Sequence, residues 1–373
     1  MIIKRFEITG LLRNPGVIST ALSADLNIIT GRNGSGKTTV LKLLWYLISG
    51  NIERARREVP FTSALVETSE YTLLAEIVSA SETRITLTRQ GKSRTYEDGR
   101  DEDGDLMFDA EEVVNDIVEE IGGSVFFPTF RRIEGGFSTE QENQSRFVTN
   151  AIAARGKGKG EIEEALSNTS KRLSNGEHRF ISSISTSDIT DLLVKQYTDM
   201  SEASSNYQRA VSQQVIDDIK AFERKSEPGG PTAEEVLELV RGKIESIDED
   251  RQRVFAPFDT IQKTVVRVFQ HSGITVNSRI GFGDAAKAVN SASLSAGEKQ
   301  LLSFICYNAF YRDSVFFIDE PELSLHVDWQ RTLFPILQEQ GTNNQFIIAT
   351  HSPFIYSRYP DKEVNLNPDR GDD

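Results

Sequence analysis

One octapeptide constrains this chain more than any other feature. Gly31 to Thr38 reads GRNGSGKT and fits G-x-x-x-x-G-K-[ST] at every fixed position. Its flanks fit as well. Leu26 to Ile29 is a short apolar run that predicts a buried strand. Val40, Leu41, Leu44, Leu47 and Ile48 recur at helical spacing after Lys37. Strand, glycine loop and helix together make a phosphate cradle, because backbone N–H groups and the helix N-terminus face the anion. The candidate nucleotide-binding residues are Gly31, Arg32, Asn33, Gly34, Ser35, Gly36, Lys37, Thr38 and Thr39. In such a loop Lys37 would reach the β- and γ-phosphates and Thr38 would hold Mg²⁺.

The chain has 373 residues, enough for one large α/β unit with an insertion or for two to three smaller domains. A hydrophobic content of 38% and a charged content of 26% predict a soluble protein with a polar surface. No apolar run approaches the ~20 residues needed to cross a bilayer. The N-terminus MIIKRFEITG lacks the apolar core of a signal peptide. A single cysteine, Cys306, excludes an internal disulfide and a cysteine-based zinc cluster. These features point to a cytoplasmic protein with no membrane partner. The net charge of −14 argues against nonspecific coating of DNA by the whole surface, though not against a local basic patch.

Along the chain, Ile2 to Ile8 and Val17 to Leu22 read as strands on either side of an Asn14-Pro15-Gly16 turn. Glu53 to Glu58 is a basic, polar segment. Tyr71 to Val78 and Thr83 to Thr88 alternate as a pair of antiparallel strands. The run EDGRDEDGD from Glu97 to Asp105 lacks the ligand spacing of a calcium loop and reads as a solvated acidic turn. Glu111 to Ile121 predicts a helix, and Ser124 to Phe130 a buried strand running into a loop. RGKGKG from Arg155 to Gly160 reads as a flexible joint. Two apolar stripes follow, Tyr207 to Phe222 and Leu237 to Val254, separated by a breaker at Glu227 to Pro231. They predict an antiparallel helical hairpin with arms of roughly 20 residues, ~30 Å long. Ile274 to Ile280 alternates as a further strand.

Three more motifs lie in the second half. SVFFIDEPE, Ser314 to Glu322, places Asp319 and Glu320 at the carboxyl end of a buried strand, where ligands of open α/β sheets sit. Asp319 would reach Mg²⁺ through its water shell, and Glu320 would orient or deprotonate the attacking water. LSAGEKQLL, Leu294 to Leu302, holds Ser295, Ala296, Gly297 and Glu298 at the start of a helix. Alone such a turn is only a helix-capping signal. ATHSP follows a short strand and offers His351 to a γ-phosphate. His178, His271 and His326 read as structural or surface residues.

With these motifs in order, the chain resembles the ATP-binding-cassette ATPases of the SMC, RecF and OLD type. The matching features are GRNGSGKT, LSAGEKQ, VFFIDEPE, a D-loop-like SLHVDWQ from Ser324 to Gln330, and ATHSP. IDEPELSLH is similar to the corresponding stretch of OLD-like and defence-associated ATPases, including Septu- and retron-associated ones. The resemblance implies an α/β P-loop NTPase of ABC ATPase type, with a mixed sheet flanked by helices, an antiparallel β subdomain and an inserted helical subdomain. It implies a head formed by 1–136 and 271–358, an insertion at 137–270 and a tail at 359–373. ATP and Mg²⁺ are the implied ligands. The implied site is composite: Lys37, Thr38, Asp319, Glu320 and His351 of one copy would face Ser295, Ala296, Gly297 and Glu298 of another. At least a homodimer follows, and a higher homo-oligomer is compatible. A Q-loop glutamine is expected at Gln141 or Gln144, and an adenine contact at Phe6 or Arg13. His351 lies so near the end of the sequence that no Toprim nuclease domain is expected after it. The implied function is an ATPase that controls a separate effector, a nuclease or toxin, in anti-phage defence. The alternative is a DNA-repair or recombination ATPase of RecF or SMC type that binds DNA directly.

Overall fold

Among the described residues, four strands are buried along their whole length: Leu26–Thr30, Ser124–Phe127, Val315–Asp319 and Gln345–Ala349. Continuous apolar runs of this kind belong to a sheet covered on both faces. The computed structural model describes residues 1–80, 82–100, 106–129, 131–133, 161–224, 232–269 and 294–366. In it the four strands form the centre of a six-stranded sheet. Its order is His178–Phe180, Ser124–Phe127, Val315–Asp319, Gln345–Ala349, Leu26–Thr30 and Glu363–Asn365. Every pairing in it is parallel. The register sets Asp319 beside Ala349 and Ala349 beside Ile29. The loops that follow these three strands therefore leave the sheet side by side.

A second six-stranded sheet is antiparallel throughout, in the order Val17–Ala21, Ile3–Thr9, Ser63–Thr68, Tyr71–Ile77, Thr83–Arg89 and Lys92–Tyr96. Burial alternates along Ser63–Thr68 and Tyr71–Ile77, as expected for strands with one covered face. Helix Lys37–Ile48 joins the two sheets in one apolar core. Its Val40, Leu41, Leu44 and Trp45 cluster with Phe6, Val66 and Leu73 of the antiparallel sheet and with Phe126 and Phe317 of the parallel one. Trp45 lies 5.4 Å, centroid to centroid, from both Phe126 and Phe180. The expected α/β head, with its sheets flanked by helices, is present, but the mixed sheet is corrected: among the described residues the parallel and antiparallel strands lie in two separate sheets.

Several elements depart from the sequence expectation. Glu53 to Glu58 lies in a helix, Ile52–Glu58, that buries Ile52 and Ala55. Arg56 of that helix is paired at 2.7 Å with Glu111, and both side chains are largely buried. The strand beginning at Ser124 runs into a loop as expected, and its ladder stops at Phe127 because Pro128 has no N–H to continue it. Residues 161–185, inside the expected 137–270 insertion, belong to the head unit instead. Helix Glu161–Leu173 leads there to His178–Phe180, an edge strand of the parallel sheet.

The chain divides into two compact units, Met1–Ser185 with Leu294–Asp373, and Thr186–Ser293. In the second unit, helices Thr186–Arg224 and Ala233–Val268 contain 39 and 36 residues. At 1.5 Å per residue they are about 58 and 54 Å long, nearly twice the arms expected from the apolar stripes. They run antiparallel. Tyr197 packs on Phe258, and Lys243 pairs with Asp218 at 2.6 Å. A full capping box at Thr232 and Glu235 starts the second helix, and Pro257 is accommodated inside it. Gln141, Gln144, the Arg155 to Gly160 joint, the Glu227 to Pro231 breaker, the Ile274 to Ile280 strand and His271 lie outside the described residues. Among the described residues, no helix is long and apolar enough to cross a membrane.

His178 is fully buried at the edge of the parallel sheet. Its Nδ1 shares a 2.7 Å hydrogen bond with Ser124 Oγ, which also accepts from Trp45 Nε1 at 3.1 Å. Burial pushes the imidazole down to about 4. Between pH 6.5 and 4 the unfolded chain therefore binds a proton that the folded chain refuses, so stability falls as pH falls through that window. We expect His178→Gln to be destabilised at pH 7. We expect its stability deficit against the parent to shrink by up to about 3 kcal/mol as pH is lowered to 4. Urea unfolding of both proteins across this range tests the expectation; a gap that stays constant with pH would sink it.

Candidate functional site

The loop from Gly31 to Gly36 connects strand Leu26–Thr30 of the parallel sheet to helix Lys37–Ile48. It needs glycine at both ends. A Cβ on Gly31 would stand 2.7 Å from Ser35 Oγ, and Gly36, at φ 91, sets the left-handed turn that starts the helix. Between them the N–H of Ser35 donates to the Arg32 carbonyl at 3.1 Å. Ser35 Oγ is buried and has no partner among the described residues. An orphaned hydroxyl at the mouth of a helix N-terminus fits an anion acceptor there.

Lys37, only 5% exposed, folds back over its own loop. Its Nζ donates to the Gly31 carbonyl at 3.2 Å and the Arg32 carbonyl at 3.3 Å. It also lies 2.7 Å from His351 Nε2. Burial lowers the pKa of Lys37, opposed by the nearby carboxylates of Glu320, Asp319 and Glu322. Burial and then the Lys37 charge lower that of His351, so the imidazole is neutral and accepts the lysine proton. Thr38 Oγ1 donates to Asp319 Oδ1 at 3.1 Å. Thr129, on the loop after the neighbouring strand, donates to Asp319 Oδ2. A hydroxyl beside a carboxylate is a hard-oxygen donor set, and it suits Mg²⁺, which takes one or two protein ligands and fills the rest of its shell with water and phosphate oxygens. Among the described residues no group of three or more His, Cys, Asp or Glu could hold a metal by itself.

Glu320 begins the turn after the Asp319 strand. It has φ 49, a left-handed conformation that costs on the order of 1 kcal/mol outside glycine. Its N–H is held by the Ala349 carbonyl at 2.8 Å. Its Oε1 lies 3.4 Å from His351 Nε2. Burial, with the hydrogen bond and charge of Glu322 behind it, pushes the Glu320 carboxyl up to about 8. Glu322 in turn accepts from Thr350 Oγ1 at 2.7 Å and from the His351 N–H at 2.8 Å, fixing the loop that presents the imidazole. Gln330 ties the same loop to the D-loop-like turn, donating to the Leu325 carbonyl at 2.9 Å and accepting from Ser352 Oγ at 2.7 Å.

Lys37, Thr38, Asp319, Glu320 and His351 thus meet at one point. Arg32, Asn33, Gly34 and Ser35 line an adjacent cleft of about 560 Å³. The opposite lining of that cleft is Leu11, Leu12, Asn14, Val17, Ile18 and Leu366. Of the two expected adenine contacts, Phe6 is corrected: it is fully buried in the core, because its strand turns that position inward. Arg13 ends the short helix whose Leu11 and Leu12 line the cleft. Thr39 sits in the first turn of helix Lys37–Ile48.

Ser295, Ala296, Gly297 and Glu298 are not among the groups that meet at Lys37. Ser295 caps helix Ala296–Phe310, accepting from the Glu298 N–H at 3.3 Å while Glu298 Oε2 takes the Ser295 N–H at 2.8 Å. Gly297 has no room for a side chain. A Cβ there would stand 2.3 Å from the Ser324 carbonyl oxygen. Gln300 donates to the Pro321 carbonyl at 2.8 Å. The start of this helix is therefore bound to the turn that follows Asp319. His326 caps helix Val327–Gln338, and Cys306 is fully buried.

Thr129, Arg131, Glu322, Thr350 and Gln330 escaped the sequence reading. The second glutamate of DEPE, the threonine of ATHSP and the glutamine that ends SLHVDWQ lay inside motifs already noted. Thr129 and Arg131 carried no local signal, since their partners are 190 and 188 residues away.

Comparison with known proteins agrees with this chemistry. The family profile "AAA domain, putative AbiEii toxin, Type IV TA system" (AAA_21) matches residues 26–357. "Retron Vc95 probable ATPase" of Vibrio cholerae serotype O1 biovar El Tor is 29% identical over 87 residues, covering 20% of this chain and 17% of that protein. "Retron Ec83 probable ATPase" of Escherichia coli is 36% identical over 75 residues, covering 17% and 14%. "Endonuclease GajA" of Bacillus cereus (strain VD045) is 40% identical over 63 residues, covering 15% and 11%. Each of these matches spans less than a fifth of the relative's own length. Among solved structures, the Smc head domain with an extended coiled coil from Pyrococcus furiosus, bound to the C-terminal domain of ScpA, aligns with TM-score 0.39 and 15% identity. That alignment covers 95% of this chain and 91% of the other. The SMC head domain from Thermotoga maritima aligns with TM-score 0.38 and 13% identity, covering 96% and 92%. The profile match runs from the phosphate-loop strand to just beyond His351, and the chain belongs to the AAA_21 family of AAA domains.

Proposed function

We propose that this chain is a Mg²⁺-dependent ATP hydrolase whose heads join on ATP and thereby control a separate effector. The observation that carries the reading is the meeting of Lys37, Thr38, Asp319, Glu320 and His351 at the carboxyl ends of three adjacent parallel strands. Phosphoryl transfer to water needs positioning and charge neutralisation more than covalent catalysis. Lys37 supplies a cation that leaves its loop carbonyls for the β- and γ-phosphate oxygens. Thr38 and Asp319 hold Mg²⁺, which neutralises phosphate charge when bound. Glu320, in its ionised form, orients the attacking water and takes its proton, and a carboxyl raised to about 8 is a stronger base for that step than an ordinary glutamate. His351, beside Lys37 and Glu320, contacts the γ-phosphate. The aliphatic cleft lined by Leu11, Leu12, Val17 and Ile18 takes the base.

One copy of each motif per chain supports a composite site, in which Ser295 and Gly297 of a second copy cap the nucleotide. The capping box leaves the start of helix Ala296–Phe310 well formed for that role. ATP binding then becomes a conformational switch, because it favours the joined state over the separate one. The names of the relatives, two retron ATPases and an endonuclease, support anti-phage defence as the setting and a nuclease or toxin as the controlled partner. The protein acts in the cytoplasm in this reading.

Lys37→Ala should weaken ATP binding by at least about 100-fold, roughly 2.7 kcal/mol. Isothermal titration with Mg²⁺-ATP measures this, and unchanged affinity would remove the phosphate-loop assignment. Glu320→Gln should bind ATP with near-parent affinity and hydrolyse it about 100-fold more slowly. It should also accumulate a dimer in size-exclusion chromatography with ATP. Normal turnover with no added dimer would show that Glu320 is not the base.

A further inference from the structure

Among the described residues, Arg131 is the one strongly buried arginine beside the nucleotide site, only 7% exposed. An arginine in such a place ordinarily answers a carboxylate. Among the described residues, Arg131 instead spends its hydrogen bonds on backbone. One terminal nitrogen donates to the Pro128 carbonyl at 2.7 Å and the Asp319 carbonyl at 2.8 Å. The other donates to the Glu320 carbonyl at 3.1 Å. The guanidinium carbon stands 5.7 Å from the Phe304 ring centroid, on the helix that begins at Ala296. The carboxylates of Asp319, Glu322 and Glu320 offset its burial electrostatically.

We propose that Arg131 is a positioning residue for Glu320: its planar fork holds the main chain of the Asp319–Glu320 turn so that the Glu320 carboxylate stays beside His351 and Lys37. The inference rests on the hydrolase reading given above, and it adds a residue which that reading does not use. Glu320 carries a side chain in a backbone conformation suited to glycine. Glycine cannot serve there, because the carboxylate is needed. The conformation persists only if the surroundings impose it. The N–H of Glu320 is fixed by the Ala349 carbonyl and its C=O by Arg131, so both polar groups of the strained residue are tied down. A lysine could supply the charge. Its single ammonium cannot span three carbonyls with the fixed directions of a guanidinium.

Arg131→Lys and Arg131→Met, with the parent and Glu320→Gln alongside, test the proposal. Both Arg131 variants should keep Mg²⁺-ATP affinity within about threefold and lose about 10- to 100-fold in kcat, since a small misplacement of a reacting group costs that much. Lysine should not rescue. In amide hydrogen exchange, the turn from Asp319 to Leu325 should exchange about tenfold faster in both variants, while helix Lys37–Ile48 keeps its protection. Parent-like kcat in Arg131→Lys overturns the proposal. So does a kcat loss matched by an equal loss of nucleotide affinity, or accelerated exchange spread over the whole head, since each marks a merely structural arginine. A parent without ATP turnover would defeat the hydrolase reading, and the exchange arm would then decide by itself whether Arg131 holds Glu320.

Discussion

The site depends on the register of three parallel strands. Ile29, Ala349 and Asp319 stand in adjacent rows, so the phosphate loop, the loop carrying His351 and the turn carrying Glu320 emerge from one edge of the sheet. In a parallel sheet all carboxyl ends point the same way, and a crevice forms where the loops beyond them diverge. A slip of one residue in either pairing would turn every side chain of that strand to the other face. The continuous burial of Val315–Asp319 and Gln345–Ala349 opposes such a slip only weakly, since both faces are apolar. The polar groups at the ends specify it. Gln345 bonds both the N–H and the carbonyl of Ile3, and Thr38 and Thr129 bond Asp319.

Charge is concentrated in this crevice on side chains that are mostly buried. Lys37 is buried beside three carboxylates, Arg131 lies behind them, and each group's ionisation depends on the others. Burial raises Asp319 despite the hydrogen bonds it receives from Thr129 and Thr38, and it raises Glu320 further. The neutral imidazole of His351 separates Lys37 from Glu320 without adding a charge. Such a set is costly to keep unfilled in a low-dielectric interior, and a polyanion bound with its cation relieves it. The arrangement is thus biased toward its ligand before the ligand arrives.

The parts of this site that sequence made legible are those that phosphate chemistry writes contiguously. Eight residues specify the loop, and four apolar residues ending in Asp319-Glu320 specify the strand end. Arg131 and Thr129 were illegible because their meaning comes from strand pairing between Ser124–Phe127 and Val315–Asp319, which no local pattern reports. Phe6 differs for the opposite reason: the resemblance implies an adenine contact on the first strands, while the alternation of its strand buries this side chain. Lys92–Tyr96 has almost no apolar face and pairs only as an edge strand, so periodicity could not find it. The two long helices were under-measured because only their apolar seam was counted. Their remaining turns are polar and exposed for much of their length.

Close packing explains why the turn after Asp319 can serve both the nucleotide and the helix that begins at Ala296. Its first residue is strained at φ 49, and Ser324, near its end, is left-handed as well at φ 70. Between these points Pro321 accepts from Gln300, Glu322 anchors Thr350 and His351, and Ser324 presses on the bare backbone of Gly297. A turn held at this many points cannot bend gradually, because packed interiors move between discrete arrangements. A shift at Glu320 large enough to break its bond to Ala349 must also disturb the contact at Gly297, where no side chain is present to absorb it. The glycine is therefore required by the fold of a single head, whatever it meets across an interface.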